Sequence, residues 1–541
     1  MRVTIVLMCA GLTAAMPPGP YFAGPEPVFP PGVEEPGPNL LAGYGYCETV
    51  TILMQFPDNR ADTIKRSPAC FDSMLYSTGV YNQGPYRAGS LNDYFLENSY
   101  GTYDVRGEIA GNRWFLSQYN YSRYYDGNYM LSTGSQMARE NIQQVDPYVD
   151  FRQFDLNSDG YIDAMFMVHA GADGADNGNV NCCWSHAIPS FNYLTQDGVR
   201  IRGVTNVPEF AMVTPARETT MCCIAVMCHE LGHLVGLPDL YQSGRTQWGV
   251  GYWGLMGYGA WGAGGNTPWS PSHMEAWSKV TAGFVVPTVI TQNTYGLRIL
   301  DVETHPVIYK VWRNGQDRDT CFYLENRQKK GFDSPLPGAG LAIWHIDPYH
   351  SAWYDRVDME EDSTFHLDKG FGYRPDPHIY HQELGDTSDV LPGIWNRVLF
   401  DSTSVPSSRD RQNRSTKIAI SNIREAGDTI VCDVTLDGSV PVAEGGRAPY
   451  ASRGTLEVRP NPVTSGVTTL RIHGVEGCSG QSASLRVFDA IGQCILVCKM
   501  PFGSWQPDIK LDLRTLRAGV YLVRLDLDGL TQTHRIVVAS R

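Results

Sequence analysis

Residues 222–241 read CCIAVMCHELGHLVGLPDLY, and the rest of the chain is best read outward from them. The stretch holds HExxH at His229, Glu230 and His233, followed by Gly236 and Asp239. Side chains four residues apart on a helix share one face, so His229 and His233 project together and two imidazoles can share one metal ion. Glu230 lies about 100° further round the helix, within reach of a water on the metal but not placed as a ligand. Gly236 suits the left-handed residue that ends such a helix, and Pro238 opposes its continuation. The chain then folds back and offers Asp239 as a third ligand. Three protein ligands and an open fourth position suit a catalytic zinc, whereas a structural zinc is closed by four. The alternative is an ordinary amphipathic helix whose histidines face solvent or each other.

Downstream, residues 247–262 read QWGVGYWGLMGYGAWG. Met256 sits in a glycine-flanked turn, at the position where the metzincin peptidases, which this order of motifs resembles, carry a methionine turn beneath the zinc. Tyr258, two residues on, is a candidate donor to a developing oxyanion. Simple packing is the alternative for both.

Upstream, residues 155–163 read DLNSDGYID. Asp155, Asn157, Asp159 and Asp163 place oxygen side chains on alternate residues with Gly160 at the sharp turn, as in the first half of a calcium loop. Phe166 stands where the bidentate glutamate of an EF-hand belongs, which excludes an ordinary EF-hand. The readings left are an Asp-rich calcium loop feeding a strand, or a hairpin tip held by Asx turns. His169 and His186 bracket a Gly/Asp/Asn-rich loop, either as structural histidines or as ligands of a second metal.

The whole composition agrees with an exported, β-rich chain. Of 541 residues, 43 are basic and 57 acidic, a formal charge of -14 without a basic run, which argues against nucleic acid and anionic membranes as partners. Residues 1–15, MRVTIVLMCAGLTAA, resemble a secretory signal peptide. No segment reaches about 18 continuous apolar residues, so no transmembrane segment is expected. Of 13 cysteines, Cys9 would leave with the signal. The vicinal pairs Cys182/Cys183 and Cys222/Cys223 are either bridges to neighbouring loops or small buried hydrophobes.

The expected fold class is α+β, a metzincin-like zinc peptidase domain followed by a β-rich domain and a small C-terminal β-sandwich. The expected boundaries are a signal peptide at 1–15, a Pro/Gly-rich leader at 16–43, a catalytic domain at 44–284, a β-rich domain at 285–437, a linker at 438–454 and the sandwich at 455–541. Within the catalytic domain the patterns predict a buried strand over 47–58, a helix over 90–97 capped by Ser90, a strand over 103–109, a helix over 134–145 and a strand over 164–168.

Two resemblances rest on these motifs. Residues from about 47 to 437 resemble the immune inhibitor A family of secreted metallopeptidases, through QFPD, YFLENSYG, DLNSDGYID, MVHAG, WSH, HELGHLVGLPDLY, WGLMGYG, AWSK, LENR and GAGLAIWHID. The last 88 or so residues resemble the sorting domain of the type IX secretion system of Bacteroidota, through RPNP, FDAIGQ and LRAGVYLVRL. The first resemblance implies a zinc endopeptidase with bound calcium, His229, His233 and Asp239 as zinc ligands and Glu230 as the catalytic residue, acting on protein or peptide substrates. The second implies the type IX secretion machinery as partner and a secreted or cell-surface location. The chain departs from larger members in lacking a long folded propeptide, which leaves open how latency is kept. The competing class is an exported adhesin on a degenerate peptidase scaffold, which would be marked by a lost glutamate or ligand. The sequence keeps all four.

Overall fold

The structure is a computed structural model and describes residues 14–17, 45–82, 89–155, 157–211, 220–242, 248–263, 267–350, 353–361, 384–440, 455–465, 467–473, 482–488, 494–501, 508–527 and 530–539. Apart from residues 14–17, the expected signal peptide and leader lie outside this set, as does most of the expected linker. The chain divides into two compact units, Met1–Val390 with Leu399–Gly438, and Leu391–Val398 with Ser439–Arg541.

The first unit is built on a seven-stranded sheet. Its strands are β1 (Ala14–Ala15), β2 (Tyr46–Gln55), β3 (Asp104–Leu116), β4 (Ala164–Ala172), β5 (His186–Ile188), β6 (Val204–Ala211) and β7 (Thr220–Met221). The order is β1-β5-β6-β4-β2-β3, with β7 also on β6. β3, β2, β4 and β6 are parallel, whereas β5 runs antiparallel to β6 and β1 antiparallel to β5. A parallel centre needs cover on both faces, which is why β2 is almost wholly buried.

Helices α1 (Pro68–Tyr76), α2 (Leu91–Asn98), α3 (Gly134–Val145) and α4 (Ile224–Leu234) supply that cover. Val50, Ile52 and Met54 share a core with Met137, Ile142 and Val145 of α3. The intervening Thr49 and Thr51 turn the other way and bond the Tyr76 hydroxyl of α1. The period of two along β2 thus splits its side chains between two helical layers. α3 spans the residues expected of it. α2 carries the expected Ser90 cap, here as a full capping box with Asp93. β3 and β4 run further than their patterns predicted, because pairing with β2 extends them. The fold is mixed α and β, as expected, with parallel strands at the centre of its main sheet.

Residues 288–435 add two further sheets to the first unit, of five and four strands. The paired strands Cys321–Arg327 and Gly340–Ile346 are buried throughout. Arg327 ties this region to the segment containing Met256. Its guanidinium reaches Asp333 at 2.7 and 3.0 Å, the Trp253 carbonyl at 2.7 Å and Glu325 at 3.3 Å, all in the interior.

The second unit has two antiparallel sheets. One holds Thr455–Arg459, Val467–His473 and Asp508–Asp512; the other holds Ser482–Phe488, Cys494–Pro501, Gly519–Leu527 and Leu530–Val538. Alternate side chains from both, among them Val458, Leu470, Leu485, Val487, Val523 and Ile536, form one core. The turn of FDAIGQ lies outside the described residues. Among the described residues no helix is long and apolar enough to cross a membrane.

Candidate active site

α4 packs against α2, β5 and β6, and its residues from Ile224 to Leu234 are all buried. The helix ends at Val235, and Gly236 follows in the left-handed region at φ 95°. The Gly236 and Leu237 N–H groups donate to the carbonyls of His233 and Gly232 at 3.0 Å each, which closes the last turn. Leu240 then donates to the Met256 carbonyl at 2.8 Å and accepts from Val250 at 3.0 Å. These bonds hold the returning chain so that Asp239 faces the two histidines.

The three expected ligands converge. Asp239 Oδ1 lies 3.1 Å from His229 Nε2 and 3.3 Å from His233 Nε2, and the two Nε2 atoms are 3.2 Å apart. This is the one His/Cys/Asp/Glu cluster of metal-binding geometry among the described residues. His229 Nδ1 donates to the Leu255 carbonyl at 3.0 Å, and His233 Nδ1 to that of Leu237 at 2.8 Å. Those bonds put the ring proton on Nδ1 and leave Nε2 a bare lone pair on each imidazole. Burial also holds His229 below the ordinary imidazole range, favouring the neutral ring that binds metal. Two lone pairs and a carboxylate oxygen therefore face one another with no proton between them, an arrangement that a cation relieves. Their separations match the edges of a tetrahedron, about 3.3 Å for metal–ligand bonds of about 2.0–2.1 Å. The residues fit zinc.

Glu230 is wholly buried. Its Oε1 accepts the Met16 N–H at 3.0 Å, and its Oε2 has no hydrogen-bond partner. Burial pushes its carboxyl well above the usual range, reinforced by the nearby carboxylates of Asp239 and Asp173. A carboxyl with raised proton affinity beside a metal site is suited to accepting and releasing protons.

Met256 is wholly buried beneath α4, against Gly232. Tyr258 is buried, edge-on to Tyr241 and Trp248 with ring centroids 5.7 and 5.1 Å away. The Tyr241 hydroxyl hydrogen-bonds Asp239. Tyr241 was not singled out from the sequence, although it stands two residues after the ligand. Trp184 and Trp261, whose indoles grip residues 16 and 17, gave no sequence signal beyond being tryptophans.

The acidic loop lies elsewhere on the unit, after the 3-10 turn Phe151–Phe154. Asp155 accepts the N–H groups of Asp159 and Gly160, each at 3.0 Å, and Asn157 also accepts from Asp159 at 3.0 Å. Asp159 accepts from Tyr161 at 2.9 Å and pairs with Arg202 at 3.3 Å, while Asp163 accepts from Glu48 at 3.3 Å. As described, the loop's carboxylates cap its own backbone and its neighbours. His169 and His186 are buried, with Nδ1 on the carbonyls of Ala170 and Trp184. The vicinal cysteines are free thiols.

With this geometry in view, the convergent His, His, Asp and Glu side chains can be set beside what the chain is similar to. Residues 49–284 match the family model of the immune inhibitor A peptidase M6 catalytic domain, and residues 457–539 match the secretion system C-terminal sorting domain. The first match covers less than half of the chain, and the second assigns it to the secreted or cell-surface proteins. The pre-pro-metalloprotease PrtV from two strains of Vibrio cholerae is 28% identical over 220 residues, covering 35% of this chain and 23% of that protein. The match therefore spans about a quarter of those relatives' length. Among solved structures, a DUF3244 family protein with an immunoglobulin-like β-sandwich from Bacteroides vulgatus covers 17% of this chain and 89% of its own, at 15% identity and TM-score 0.13. Dimeric latent PorU from Porphyromonas gingivalis covers 21% of this chain and 11% of its own, at 19% identity and TM-score 0.14. Both scores are too low to define the fold.

Proposed function

We propose that the chain is an exported zinc endopeptidase of metzincin-like build that hydrolyses peptide bonds in protein substrates. The observation that carries this reading is the convergence of His229 Nε2, His233 Nε2 and Asp239 Oδ1 beside the buried carboxyl of Glu230. Zinc, which His229, His233 and Asp239 would hold, would supply Lewis acidity, lowering the pKa of water toward about 7 and polarising a carbonyl. Glu230 takes the proton of the attacking water at the unpartnered Oε2 and passes it to the leaving amine. The Tyr241 hydroxyl orients Asp239, and the Leu255 and Leu237 carbonyls orient the two imidazoles. We give Tyr258 the role of oxyanion donor, in keeping with its burial against Tyr241. Met256 supports the floor of the site.

The type IX secretion machinery is the proposed export partner, with the second unit as a β-sandwich sorting domain and residues 1–15 as the signal peptide. Calcium at Asp155, Asn157, Asp159 and Asp163 is part of the same reading, and binding there must displace bonds these side chains make to the loop. Calcium titration by calorimetry on wild type and Asp159→Ala decides it; equal heats remove calcium from the reading. For the enzyme itself the test is casein zymography with and without a chelator, paired with metal analysis. Chelator-sensitive clearing at one zinc per chain is expected, and clearing that survives metal removal overturns the assignment.

A further inference from the structure

The β-rich region after residue 285 holds a cavity of its own. Its volume is about 490 Å³, within the range of about 300–1,000 Å³ usual for small-ligand sites. It lies among the turn after Val311, the end of the strand Gly340–Ile346 and the loop around Asp410, and none of its lining residues belongs to the metal site. Small-ligand pockets are ordinarily apolar with a few polar groups. This one is lined by four arginines and three aspartates, and by no aliphatic side chain apart from Thr320.

Part of that charge is spent internally. Asp410 Oδ2 accepts from Arg313 Nη2 at 2.5 Å and from Arg414 Nε at 2.8 Å, while its Oδ1 accepts the N–H groups of Gln412 and Arg414 at 3.1 and 2.8 Å. Arg411 Nη2 donates to the Asp355 carbonyl and, at 3.2 Å, to Asp358. Three buried polar atoms are left over. The Nε–H groups of Arg313 and Arg411 have no hydrogen-bond partner among the described residues, and neither has Nε2 of His345. His345 is 3% exposed, and its Nδ1 lies 3.1 Å from Glu360 Oε1, which places the ring proton on Nδ1. Burial, helped by the Arg411 guanidinium, brings His345 down to about 4, so at neutral pH its Nε2 is a bare lone pair. Buried polar groups of a native fold are nearly all satisfied, and a donor pair and an acceptor left open beside one cavity point to a ligand.

The open groups define that ligand's chemistry. Guanidinium donors select a carboxylate or another oxyanion. A simple anion such as acetate has nothing to donate, and leaves the His345 lone pair and the carboxylates of Asp319 and Asp347 facing its oxygens. A neutral sugar can donate but leaves the guanidinium charge unmatched. A carboxylate that also carries hydroxyls meets both demands. The rings of Trp312 and Tyr349 add flat apolar surface of the kind a pyranose ring lies against. The chain's net charge of -14 gives no general attraction to polyanions, so affinity for an acidic glycan has to come from a built pocket such as this.

We propose that this cavity binds an acidic sugar, a uronic acid residue of a polysaccharide, with its carboxylate on Arg313 and Arg411 and a ring hydroxyl donating to His345 Nε2. Such a site tethers the exported chain to an acidic glycan, and it is independent of the hydrolytic chemistry proposed for the metal site.

The test is calorimetric titration of trigalacturonate into the full-length chain and two variants, Arg411→Gln and Arg318→Gln. Arg318 stands exposed at the rim, so its substitution leaves the interior packing untouched. Saturable binding to wild type is expected. Loss of a charged hydrogen bond should weaken it about tenfold or more in Arg411→Gln, and loss of the rim charge by up to about fivefold in Arg318→Gln. Galactose and acetate, each lacking half of the recognised chemistry, should compete at least about tenfold more weakly than galacturonate in saturation-transfer NMR. Absence of trigalacturonate binding to wild type overturns the proposal, as does equal affinity in wild type and Arg318→Gln together with every variant that folds. Displacement by tetra-D-glutamate as effective as that by trigalacturonate also overturns it, and makes the cavity a site for acidic peptide instead.

Discussion

A Cβ atom built on Gly232 would lie 2.6 Å from Sδ of Met256. Gly232 is the residue before His233, so the methionine turn touches the metal helix at the one position where the helix has no side chain. Gly232→Ala must push Met256 aside in a site without spare volume. Alanine's better helix propensity offsets part of the overpacking, and a net loss of about 1–2 kcal/mol is expected. Thermal unfolding and zinc affinity, measured together, should both fall; an unchanged zinc affinity would separate Met256 from the metal site.

Glu230→Gln preserves shape and removes the carboxylate. Zinc content should stay at the wild-type level while peptide hydrolysis drops by about 10²–10⁴. A variant with full activity would sink the role assigned to Glu230.

His233→Ala removes one of the three proposed ligands and leaves His229 and Asp239 facing each other. Loss of both zinc and activity is expected. Dialysis of wild type against a chelator should lower the unfolding temperature, because a metal that binds only the folded chain stabilises it by mass action. The same dialysis should leave His233→Ala unchanged.

Burial brings His169 and His186 down to about 4. In the unfolded chain an imidazole titrates near its ordinary value of about 6.5, so as pH falls the unfolded state takes up protons first. Stability is then complete above about pH 6.5 and is lost progressively toward pH 4, by about 2–3 kcal/mol for each histidine at pH 4.5. Urea unfolding of wild type and His169→Gln at pH 7 and pH 4.5 tests the sign: the glutamine variant should lose less of its stability over this interval.

Arg327 stands among Asp333, Glu325 and Glu303 in the interior. Arg327→Ala leaves those carboxylates without their cation, at a cost of about 3–5 kcal/mol. Lysine is a poor substitute, because the planar fork reaches Asp333 and the Trp253 carbonyl together. Urea unfolding should put Arg327→Lys between wild type and alanine.

The convergence of His229, His233 and Asp239 could be read from the sequence because its logic is local. Positions 229 and 233 share a helix face by geometry alone, Gly236 takes the left-handed conformation that ends the helix, and Asp239 follows within one turn of chain. Ser90 and Asp93 form their capping box for the same reason. The acidic run 155–163 was less decisive, since Asx turns and calcium ligation ask for the same residue types at the same spacing. The expected division between catalytic and β-rich regions rested on a change of pattern at residue 285. A pattern cannot report that Arg327 would bond the carbonyl of Trp253 across that boundary.

By itself, the sequence determined the helix, the spacing of His229, His233 and Asp239 along the chain, and the C-terminal sorting domain, because each depends on residues a few positions apart. Tertiary structure decided which carbonyls hold the imidazole tautomers, that Tyr241 bonds Asp239, and that Met16 lies against Glu230. The last contact joins residues 214 apart in the chain. The sequence of residues 14–17, at the junction of the expected signal peptide and leader, is silent about where that segment will pair. The pairing was set by the free edge of β5 and two buried indoles, which exist only once the sheet has formed.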